Sequence, residues 1–413
     1  MRTVDAAGLP IGDGHPPRIM GVLNVSQESP YDPSVYADPG EAAAYVDELV
    51  EDGADIVDVG LESANRRLDV LSAEEELQRL DTAVEAIESV SGDAVFSIET
   101  RYAEVAEAAL NRGFEMVNDI CGFADPEMPA VCRAHDVAVC KMASPPDLNR
   151  PGAVDDVDWA SERSPAWARE ADYVDKLYSS LERGGLTDKT IVDPAFGGWS
   201  DTKTLADDQE TFRRLAEFRG LGRPVLVSIN RKNFLKDIVD RSTEGALPAS
   251  LAATSLAVER GASVIRTHDV GATRDAALVG STLTDRRQAS ANGVRATELV
   301  LHRAGDLERH LDRLGITDVA AGSLYTRAVE IAGLDQDARR TLVAEVERAG
   351  GTVYGGSGSG DGVAPERAGA SGILVTGPTD VLAAAAAALP GTPPFAAIVA
   401  VLGEHARPEA RAR

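Results

Sequence analysis

The sequence is poor in lysine and rich in acidic residues. Only six of its 41 basic residues are lysines, and 67 aspartates and glutamates leave a formal net charge of -26. Such a surface repels phosphate groups, which argues against nucleic acid and anionic membranes as partners. Any anion-binding site must therefore be local. The same balance is typical of a halophilic-type acidic surface, because high salt screens the repulsion between like charges.

Cysteines and long apolar runs are also scarce. Cys121, Cys132 and Cys140 are odd in number and lack CxxC spacing, which argues against a disulfide framework or a zinc knuckle and favours buried thiols. No run of about twenty apolar residues occurs, so a membrane span is not expected. The N-terminus also lacks a positive stretch followed by an apolar region. These absences predict a cytoplasmic protein.

Short apolar runs alternate with helical patterns along most of the chain. The runs read RIMGVLNV, ADIVDVG, AVFSIET, EMVNDI, VAVCKM, TIVDPA, PVLVSIN and SVIRTHDV. Runs rich in valine and isoleucine, separated by helices, are typical of parallel strands buried on both faces. Eight such repeats in roughly 260 residues favour a (β/α)8 TIM barrel. No run is followed by GxGxxG, which argues against a dinucleotide-binding sheet.

The changes in pattern divide the chain into four parts. Residues 1–17 form an N-terminal extension, 18–285 the barrel, 286–296 a polar linker and 297–413 a smaller α/β domain. The last part contains the run GGSGSGDG, from Gly355 to Gly362. This run lacks the Gly-Lys-Ser/Thr ending of a phosphate-binding loop, so we interpret it as a flexible acidic loop.

Polar side chains stand at the carboxyl ends of the predicted strands, where TIM-barrel enzymes carry their chemistry. They are Asn24, Asp58, Glu62, Glu99, Asn118, Asp119, Lys141, Asp193, Asn230, Arg231, Lys232, Arg266, His268 and Asp269. A single aspartate or asparagine at such an end can equally cap the next helix or form a turn. The whole set nevertheless indicates a site at this end of the barrel.

Three of these residues carry a more specific signal. Arg266 and His268 are two residues apart on a strand and so point to one face, and we expect an anion such as phosphate beside them to offset their repulsion. In a chain so poor in lysine, Lys232 in NRKNF is expected to be functional. Asn24 offers a neutral oxygen suited to a hard divalent cation that also binds phosphate.

Seven stretches together resemble the dihydropteroate synthases of the pterin-binding family. They are RIMGVLNVSQES, GADIVDVGLES, FSIETRYAEVAEAAL, MVNDICGFADPEM, IVDPAFG, PVLVSINRKNF and VIRTHDV. The resemblance spans about residues 18 to 285 and implies a TIM-barrel transferase of folate biosynthesis. Such an enzyme condenses 6-hydroxymethyl-7,8-dihydropterin pyrophosphate with 4-aminobenzoate and releases pyrophosphate. The C-terminal third loosely resembles the accessory domain of some longer family members.

The resemblance also implies roles for particular residues. The implied substrate-binding set is Asn24, Glu62, Glu99, Asn118, Asp193, Lys232, Arg266 and His268. Within it, Arg266, His268 and Lys232 form the catalytic set, and Asn24 binds the Mg²⁺ cofactor. A buried carboxylate is the natural partner for the guanidine-like edge of a pterin, and cations stabilise a departing pyrophosphate. The outer helices of such barrels commonly pair, so a homodimer is expected.

Departures from the family pattern keep two alternatives open. The family's ExST-R-P loop corresponds to GLESANRRLD, with Ala64 and Asn65 at the usual threonine and arginine, and the aspartate of its IDT motif is Glu99. One alternative is a synthase that uses a modified arylamine, whose extra phosphate would meet Arg66 and Arg67. The other is a pterin-binding module without synthase activity, similar to methyl-tetrahydrofolate-binding barrels, although those barrels bind no pyrophosphate.

Overall fold

The computed structural model describes most of the 413 residues. The described residues are 2–26, 35–36, 38–62, 69–145, 149, 157–197, 200, 202–284, 288–291, 294–354 and 373–403. The chain divides into two compact units, Met1–Leu299 and Val300–Arg413. No helix among the described residues is long and apolar enough to cross a membrane.

The predicted N-terminal extension contains a small hairpin. Strands β1 (Val4–Ala6) and β2 (Leu9–Ile11) pair antiparallel. Val4, Ala6 and Ile11 are fully buried against apolar side chains of the barrel strands. The hairpin therefore extends the barrel's core, because its alternate apolar residues supply one buried face.

The first unit is built on a closed barrel of eight parallel strands, which confirms the predicted TIM barrel. The strands are β3 (Arg18–Asn24), β4 (Ile56–Gly60), β5 (Val95–Thr100), β6 (Met116–Asp119), β7 (Ala138–Met142), β8 (Thr190–Asp193), β9 (Val225–Val227) and β10 (Ala262–Thr267). They follow chain order around the barrel, and β10 closes it by pairing with β3. Each strand lies within one residue of a predicted apolar run.

Helices connect the strands on the outside. They are α1 (Pro39–Glu51), α2 (Ala73–Glu88), α3 (Ala103–Leu110), α4 (Met128–Ala134), α5 (Trp159–Glu162), α6 (Pro165–Glu170), α7 (Tyr173–Glu182), α8 (Leu205–Arg213), α9 (Asn233–Val239), α10 (Leu247–Glu259) and α11 (Val270–Thr282). Side-chain caps start several of them. Ser72 and Glu75 form a capping box at α2, and Thr204 and Asp207 form one at α8.

Alternation along the strands separates two apolar layers. Residues such as Val57 and Val59 pack outward in one cluster with the helices. The strand residues that alternate with these outward residues point inward and form a second cluster with the hairpin. They are Met20, Ile56, Val95, Met116, Ala138, Cys140, Ile191, Leu226 and Val264. These inward residues lie near the amino ends of their strands, so the next inward positions stand at the carboxyl ends.

A second hairpin occupies the predicted polar linker. Strands β11 (Gln288–Ala291) and β12 (Val294–Thr297) pair antiparallel within the first unit, in the segment predicted as a polar linker over 286–296. The sequence between these strands is Asn292-Gly293. Asn-Gly between two short strand-like segments is the strongest short-range hairpin signal, and it was overlooked.

The second unit is a small α/β arrangement with its own core. It contains α12 (Ala304–Leu314), α13 (Ala321–Leu324), β13 (Thr326–Ile331), α14 (Gln336–Ala349), β14 (Thr352–Tyr354), β15 (Ile373–Pro378), α15 (Thr379–Ala388) and α16 (Ala396–Gly403). The three strands form an antiparallel sheet with β15 in the middle. Leu342, Val375 and Leu382 are fully buried at its centre. The run Gly355–Gly362 lies outside the described residues.

Candidate active site

Inward-facing polar side chains join four strands at the carboxyl end of the barrel. Arg266 on β10 donates from Nε to Asp58 Oδ2 on β4 at 2.7 Å. Its second donor, Nη2, contacts Glu99 Oε2 on β5 at 2.6 Å. Asn118 on β6 donates from Nδ2 to the same oxygen of Asp58 at 2.8 Å. We call these four residues the mouth network.

Asp58 is the centre of the mouth network, although the predicted binding set omits it. Its side chain is fully buried, and one oxygen accepts hydrogen bonds from both Arg266 and Asn118. The residue was only one of many polar strand ends in the sequence. Its inward position, two residues before Gly60 on β4, was the available signal.

Arg266 forms two ion pairs within the mouth network. Burial would lower the pKa of Arg266, but Glu99 and Asp58 hold it above its ordinary value. Burial, followed by the neighbouring Arg266 and Lys232, lowers the pKa of His268 to about 3. Asp58 and Glu99 therefore pair with Arg266, His268 is uncharged near neutral pH, and an anion beside the two residues stays a prediction.

A second group of site residues lies at β8 and after β9. Asp193 accepts a hydrogen bond from the Ala195 N–H at 2.7 Å, and burial raises the pKa of its carboxyl to about 6. Burial also lowers the pKa of Lys232, where Arg266 acts in the same direction and Asp193 opposes it. A Cβ added at Gly197 would lie 3.1 Å from Lys232 Nζ. Asp193 and Lys232 thus belong to one charged environment with Arg266.

Lys203 is a further buried cation at this end that the sequence analysis did not single out. Its side chain is 1% exposed, and Nζ contacts Asp208 Oδ1 at 2.6 Å and the Ala195 carbonyl oxygen at 2.5 Å. The scarcity of lysine, which drew attention to Lys232, applies equally to Lys203 and was the signal that could have found it.

Asn24 and Glu99 approach each other across Gly60. A Cβ added at Gly60 would lie 2.9 Å from Asn24 Oδ1 and 3.7 Å from Glu99 Oε1. Among the described residues, no group of three or more histidine, cysteine, aspartate or glutamate side chains is arranged to hold a metal ion. Asn24 Oδ1 is a neutral oxygen, a donor type that Mg²⁺ accepts, and the Mg²⁺ site stays a prediction.

Glu62 lies in a separate cluster at the rim of the mouth. Its Oε2 is 2.5 Å from Nη1 of the fully buried Arg101, and its Oε1 accepts from the Leu71 N–H at 2.6 Å. Arg101 also contacts Glu76 at 3.2 Å and donates to the Leu71 carbonyl. Both oxygens of Glu62 thus have protein partners, and its contact with a substrate stays a prediction.

Other polar strand ends have structural roles. Lys141 points outward and donates to the carbonyl of Leu181, near the end of α7, at 2.9 Å and to that of Gly185, in the turn after α7, at 3.0 Å. The Asp119 carboxylate accepts from two backbone N–H groups in the turn that follows β6. Asp119 matches the alternative interpretation of a strand-end aspartate that stabilises a turn.

Asp269 links two loops at the mouth. It accepts from Asn230 Nδ2 at 2.8 Å and pairs with Arg231 at 2.8 Å, so the loop after β9 is tied to the end of β10. Ala64, Asn65, Arg66 and Arg67, which distinguish the chain from the family pattern, lie outside the described residues. The same holds for residues 27–30 of SQESP.

One family model and several relatives match the sequence of this chain. The model of the pterin binding enzymes matches residues 20–268. A probable bifunctional folylpolyglutamate synthase/dihydropteroate synthase of Halobacterium salinarum is 34% identical over 258 residues, which cover 62% of this chain and 30% of that protein. Dihydropteroate synthase of Bacillus subtilis is 30% identical over 253 residues, which cover 61% of this chain and 83% of that enzyme.

Solved structures are similar over the same region. Dihydropteroate synthase of Coxiella burnetii, in complex with pteroic acid, is 29% identical with a TM-score of 0.54, covering 68% of this chain and 98% of that one. The enzyme of Xanthomonas albilineans, in complex with 7,8-dihydropteroate, is 28% identical with a TM-score of 0.52 over 68% and 98% of the two chains.

Proposed function

The chain belongs to the pterin binding enzyme family, and from that premise we propose that it is a dihydropteroate synthase. It condenses 6-hydroxymethyl-7,8-dihydropterin pyrophosphate with 4-aminobenzoate and releases pyrophosphate, as a transferase of folate biosynthesis. The observation that carries the proposal is the convergence of Asp193, Lys232 and the mouth network at one end of the barrel. Relatives named as dihydropteroate synthases support the same reaction.

The pterin ring is assigned to the buried charged groups. A pterin presents adjacent N–H donors on one edge and oxygen and nitrogen acceptors on another. The Asp193 carboxylate suits the donor edge, and Lys232 and Asn118 suit the acceptors. Burial of these groups strengthens each interaction, since few water molecules compete for them.

The pyrophosphate is assigned to Arg266 and His268. As the amine nitrogen of 4-aminobenzoate bonds to the methylene carbon, the bond from that carbon to the pyrophosphate oxygen breaks and the amine loses a proton. Arg266 stabilises the charge that collects on the leaving group. His268 is neutral and contributes one N–H donor. No covalent bond to the protein is required, and the main task of the site is to position the two substrates.

Magnesium is proposed at Asn24. Bound there, the ion would neutralise part of the pyrophosphate charge. The approach of Asn24 and Glu99 across Gly60 supports this place, because hard oxygen donors suit Mg²⁺. Asn24→Ala is expected to raise the Mg²⁺ concentration needed for tight binding of inorganic pyrophosphate, measured by calorimetry. Unchanged Mg²⁺ dependence would remove Asn24 as a ligand.

The decisive test of the synthase is pyrophosphate release in Mg²⁺ and concentrated potassium chloride. Wild type should release pyrophosphate only when both substrates are present, and Arg266→Ala should lose most of this activity. Arg112→Ala is the control, because its side chain forms an exposed ion pair with Asp81. If the wild type binds pterin but releases no pyrophosphate with any arylamine, the chain is a pterin-binding module without synthase activity.

A homodimer is proposed through α10 and α11. Leu256, Leu278, Val279 and Leu283 are 40 to 80% exposed on or just after these helices. The helices touch closely, since a Cβ on Gly280 would lie 2.6 Å from the Ser255 carbonyl oxygen. Val279→Glu should convert dimer to monomer in light scattering, whereas Leu374→Glu, at an exposed position of the second unit, should not.

We propose that the protein works in the cytoplasm at high salt. Its three cysteines are free and buried, which suits a reducing compartment. The net charge of -26 and the relative from Halobacterium salinarum support adaptation to salt. Its free energy of unfolding should therefore rise with potassium chloride concentration; a flat or falling dependence would contradict this adaptation.

A further inference from the structure

A short turn after β8 connects Lys203 to the proposed pterin site. Asp193 ends the strand, and its Oδ1 accepts from the Ala195 N–H at 2.7 Å. The carbonyl oxygen of the same alanine accepts from Lys203 Nζ at 2.5 Å. One peptide unit on each side of Ala195 is thus fixed by a charged side chain.

The backbone of this turn requires support. Ala195 has φ of +62°, a conformation that residues with a side chain adopt rarely. Such a conformation persists when surrounding contacts fix it, and it occurs most often at functional sites. The two side-chain hydrogen bonds at Ala195 are contacts of this kind.

Asp208 extends the support to Lys232. Its carboxylate pairs with Lys203 at 2.6 Å and accepts from the Gly197 N–H at 3.1 and 3.2 Å. Gly197 in turn borders Lys232, where a Cβ would come within 3.1 Å of Nζ. The pair of Lys203 and Asp208 therefore holds the turn at two points, one next to Asp193 and the other next to Lys232.

A stabilising role alone does not explain this pair. The side chains of Lys203 and Asp208 are 1% and 4% exposed. Burying two charges costs much of what their attraction contributes, so a buried ion pair is weak support for stability and is often replaceable by apolar groups. Its position behind two substrate-facing groups points to a role in arranging them.

We propose that Lys203 is a positioning residue for pterin binding: through Ala195 and Asp208 it fixes the turn that orients the Asp193 carboxylate and borders Lys232. This inference rests on the proposed function. It gives Lys203 no contact with the reacting atoms. Its loss should therefore weaken binding of the pterin and leave binding of the arylamine unchanged.

Lys141 provides a matched control. It is also a fully buried lysine that donates to backbone carbonyls, those of Leu181, Arg183 and Gly185, but it points away from the mouth. Lys203→Met and Lys141→Met each remove a buried lysine that donates to backbone carbonyls, but only Lys203 also pairs with a buried carboxylate. A general loss of stability would affect both variants, whereas a positioning effect would follow Lys203 alone.

The experiment measures the dissociation constant of 6-hydroxymethylpterin by fluorescence. Lys203→Met should raise it by about tenfold, because a slightly displaced carboxylate loses alignment with the ring, while Lys141→Met should leave it unchanged. Lys203→Arg, which keeps charge and donors, should weaken binding less than Lys203→Met. If Lys203→Met is unstable, Asp208→Asn tests the same connection with a smaller change.

A pH profile separates positioning from a structural effect. The groups around Asp193 are Lys232, Arg266, Lys203 and the Cys140 thiol. Burial raises the pKa of Asp193 to about 6, and both the Ala195 N–H and Lys203 oppose that rise. Lys203→Met should therefore shift the midpoint of pterin binding to higher pH, and Lys141→Met should not.

The outcomes distinguish this inference from the proposed function. A wild type that does not bind the pterin overturns both. Equal pterin affinity and equal pH midpoints in wild type, Lys203→Met and Asp208→Asn overturn the positioning role alone. Equal weakening by Lys203→Met and Lys141→Met also overturns it, since the effect would then follow the loss of any buried lysine.

Discussion

The two ends of the barrel are built from the same strands but by different chemistry. Near the amino ends, inward residues such as Met20 and Ile56 form a fully buried apolar layer that the N-terminal hairpin extends. Two residues after the inward apolar residues of β4, β8 and β10, the inward positions carry Asp58, Asp193 and Arg266. Apolar burial contributes free energy of folding directly, whereas buried ion pairs contribute little net stability. We therefore expect substitutions near the amino ends of the strands to change mainly the free energy of unfolding, and substitutions near the carboxyl ends to change mainly activity.

The largest effect should come from the apolar end. Ile11→Ala removes a fully buried side chain and is expected to lower the free energy of unfolding by about 3 kcal/mol. Chemical denaturation in potassium chloride measures this change. Leu9→Ala, at a partly exposed position of the same hairpin, should cost less than about 1 kcal/mol. kcat/KM of the folded protein should stay unchanged in both variants; a large catalytic loss would remove the proposed separation.

A substitution of Asp58, at the mouth, should have the opposite effect and lower activity more than stability. Asp58→Asn keeps the shape but removes the charge that holds Arg266 and Asn118, so pyrophosphate release should fall by roughly a hundredfold while unfolding changes little. A hundredfold corresponds to about 2.7 kcal/mol. Asp119→Asn is the control, because this buried aspartate faces outward. It should lose stability and keep its activity. Loss of stability without loss of activity in Asp58→Asn, together with loss of activity in Asp119→Asn, would contradict the separation of stability and chemistry between the two ends of the barrel.

The rim cluster should show an intermediate, pH-dependent effect. Burial raises the pKa of Glu76 to about 7, above its ordinary value of 4.5, although Thr100 and Arg101 oppose the rise. A raised carboxyl pKa means that the stabilisation is present below pH 4.5 and is lost as pH rises through about 7. Because glutamine does not ionise, Glu76→Gln does not lose stability as the pH rises. Relative to wild type, it should gain on the order of 2 kcal/mol between about pH 4.5 and pH 8.

Urea unfolding of both proteins at the two pH values tests this prediction. A difference that does not change with pH would mean that Glu76 is ionised throughout and that Arg101 compensates its burial. Since Glu76 faces Arg101 and not the mouth network, Glu76→Gln should change the stability profile more than the activity profile. Comparison of the two profiles therefore shows whether a buried charge at the mouth end can change the free energy of unfolding without changing activity.

The fold was predictable from the sequence because its signal is local. Each strand is a short run of apolar residues, and the strands pair in chain order, so eight repeats specify the barrel. The hairpin at 288–297 was missed because the polar composition of TDRRQASANGVR outweighed its Asn-Gly signal. The hairpin of β1 and β2 was also not foreseen, since its strands contain only three residues each.

The site was predictable as a location but not as a network. Alternation places Arg266 and Asn118 on inward faces, and the structure has both there. That Arg266 meets Asp58 and Glu99 depends on which strands are neighbours across the closed barrel, which residue spacing does not give. The support of Asp193 by Lys203 depends on one turn with a positive φ, which composition does not reveal.

The smallest expected effect concerns His268, which the sequence places beside Arg266 as a second side chain that can carry a positive charge. Burial, with Arg266 and Lys232, lowers its pKa to about 3 from an ordinary value of 6.5. A lowered histidine pKa means that its stabilisation is present above pH 6.5 and is lost as pH falls toward 3, because only the unfolded chain takes up the proton. His268→Gln removes this dependence and keeps an N–H donor.

At about pH 8 the histidine is neutral in both folded and unfolded chains, so the difference in unfolding free energy between wild type and His268→Gln at that pH is the internal control. When the pH is lowered to about 5.5, the unfolding free energy of His268→Gln should rise by roughly 1 kcal/mol relative to that of wild type, compared with the difference at pH 8. A constant difference would mean that His268 accepts a proton in the folded state. The mouth would then hold a histidinium beside Arg266, and the proposed pyrophosphate site would carry a second positively charged side chain.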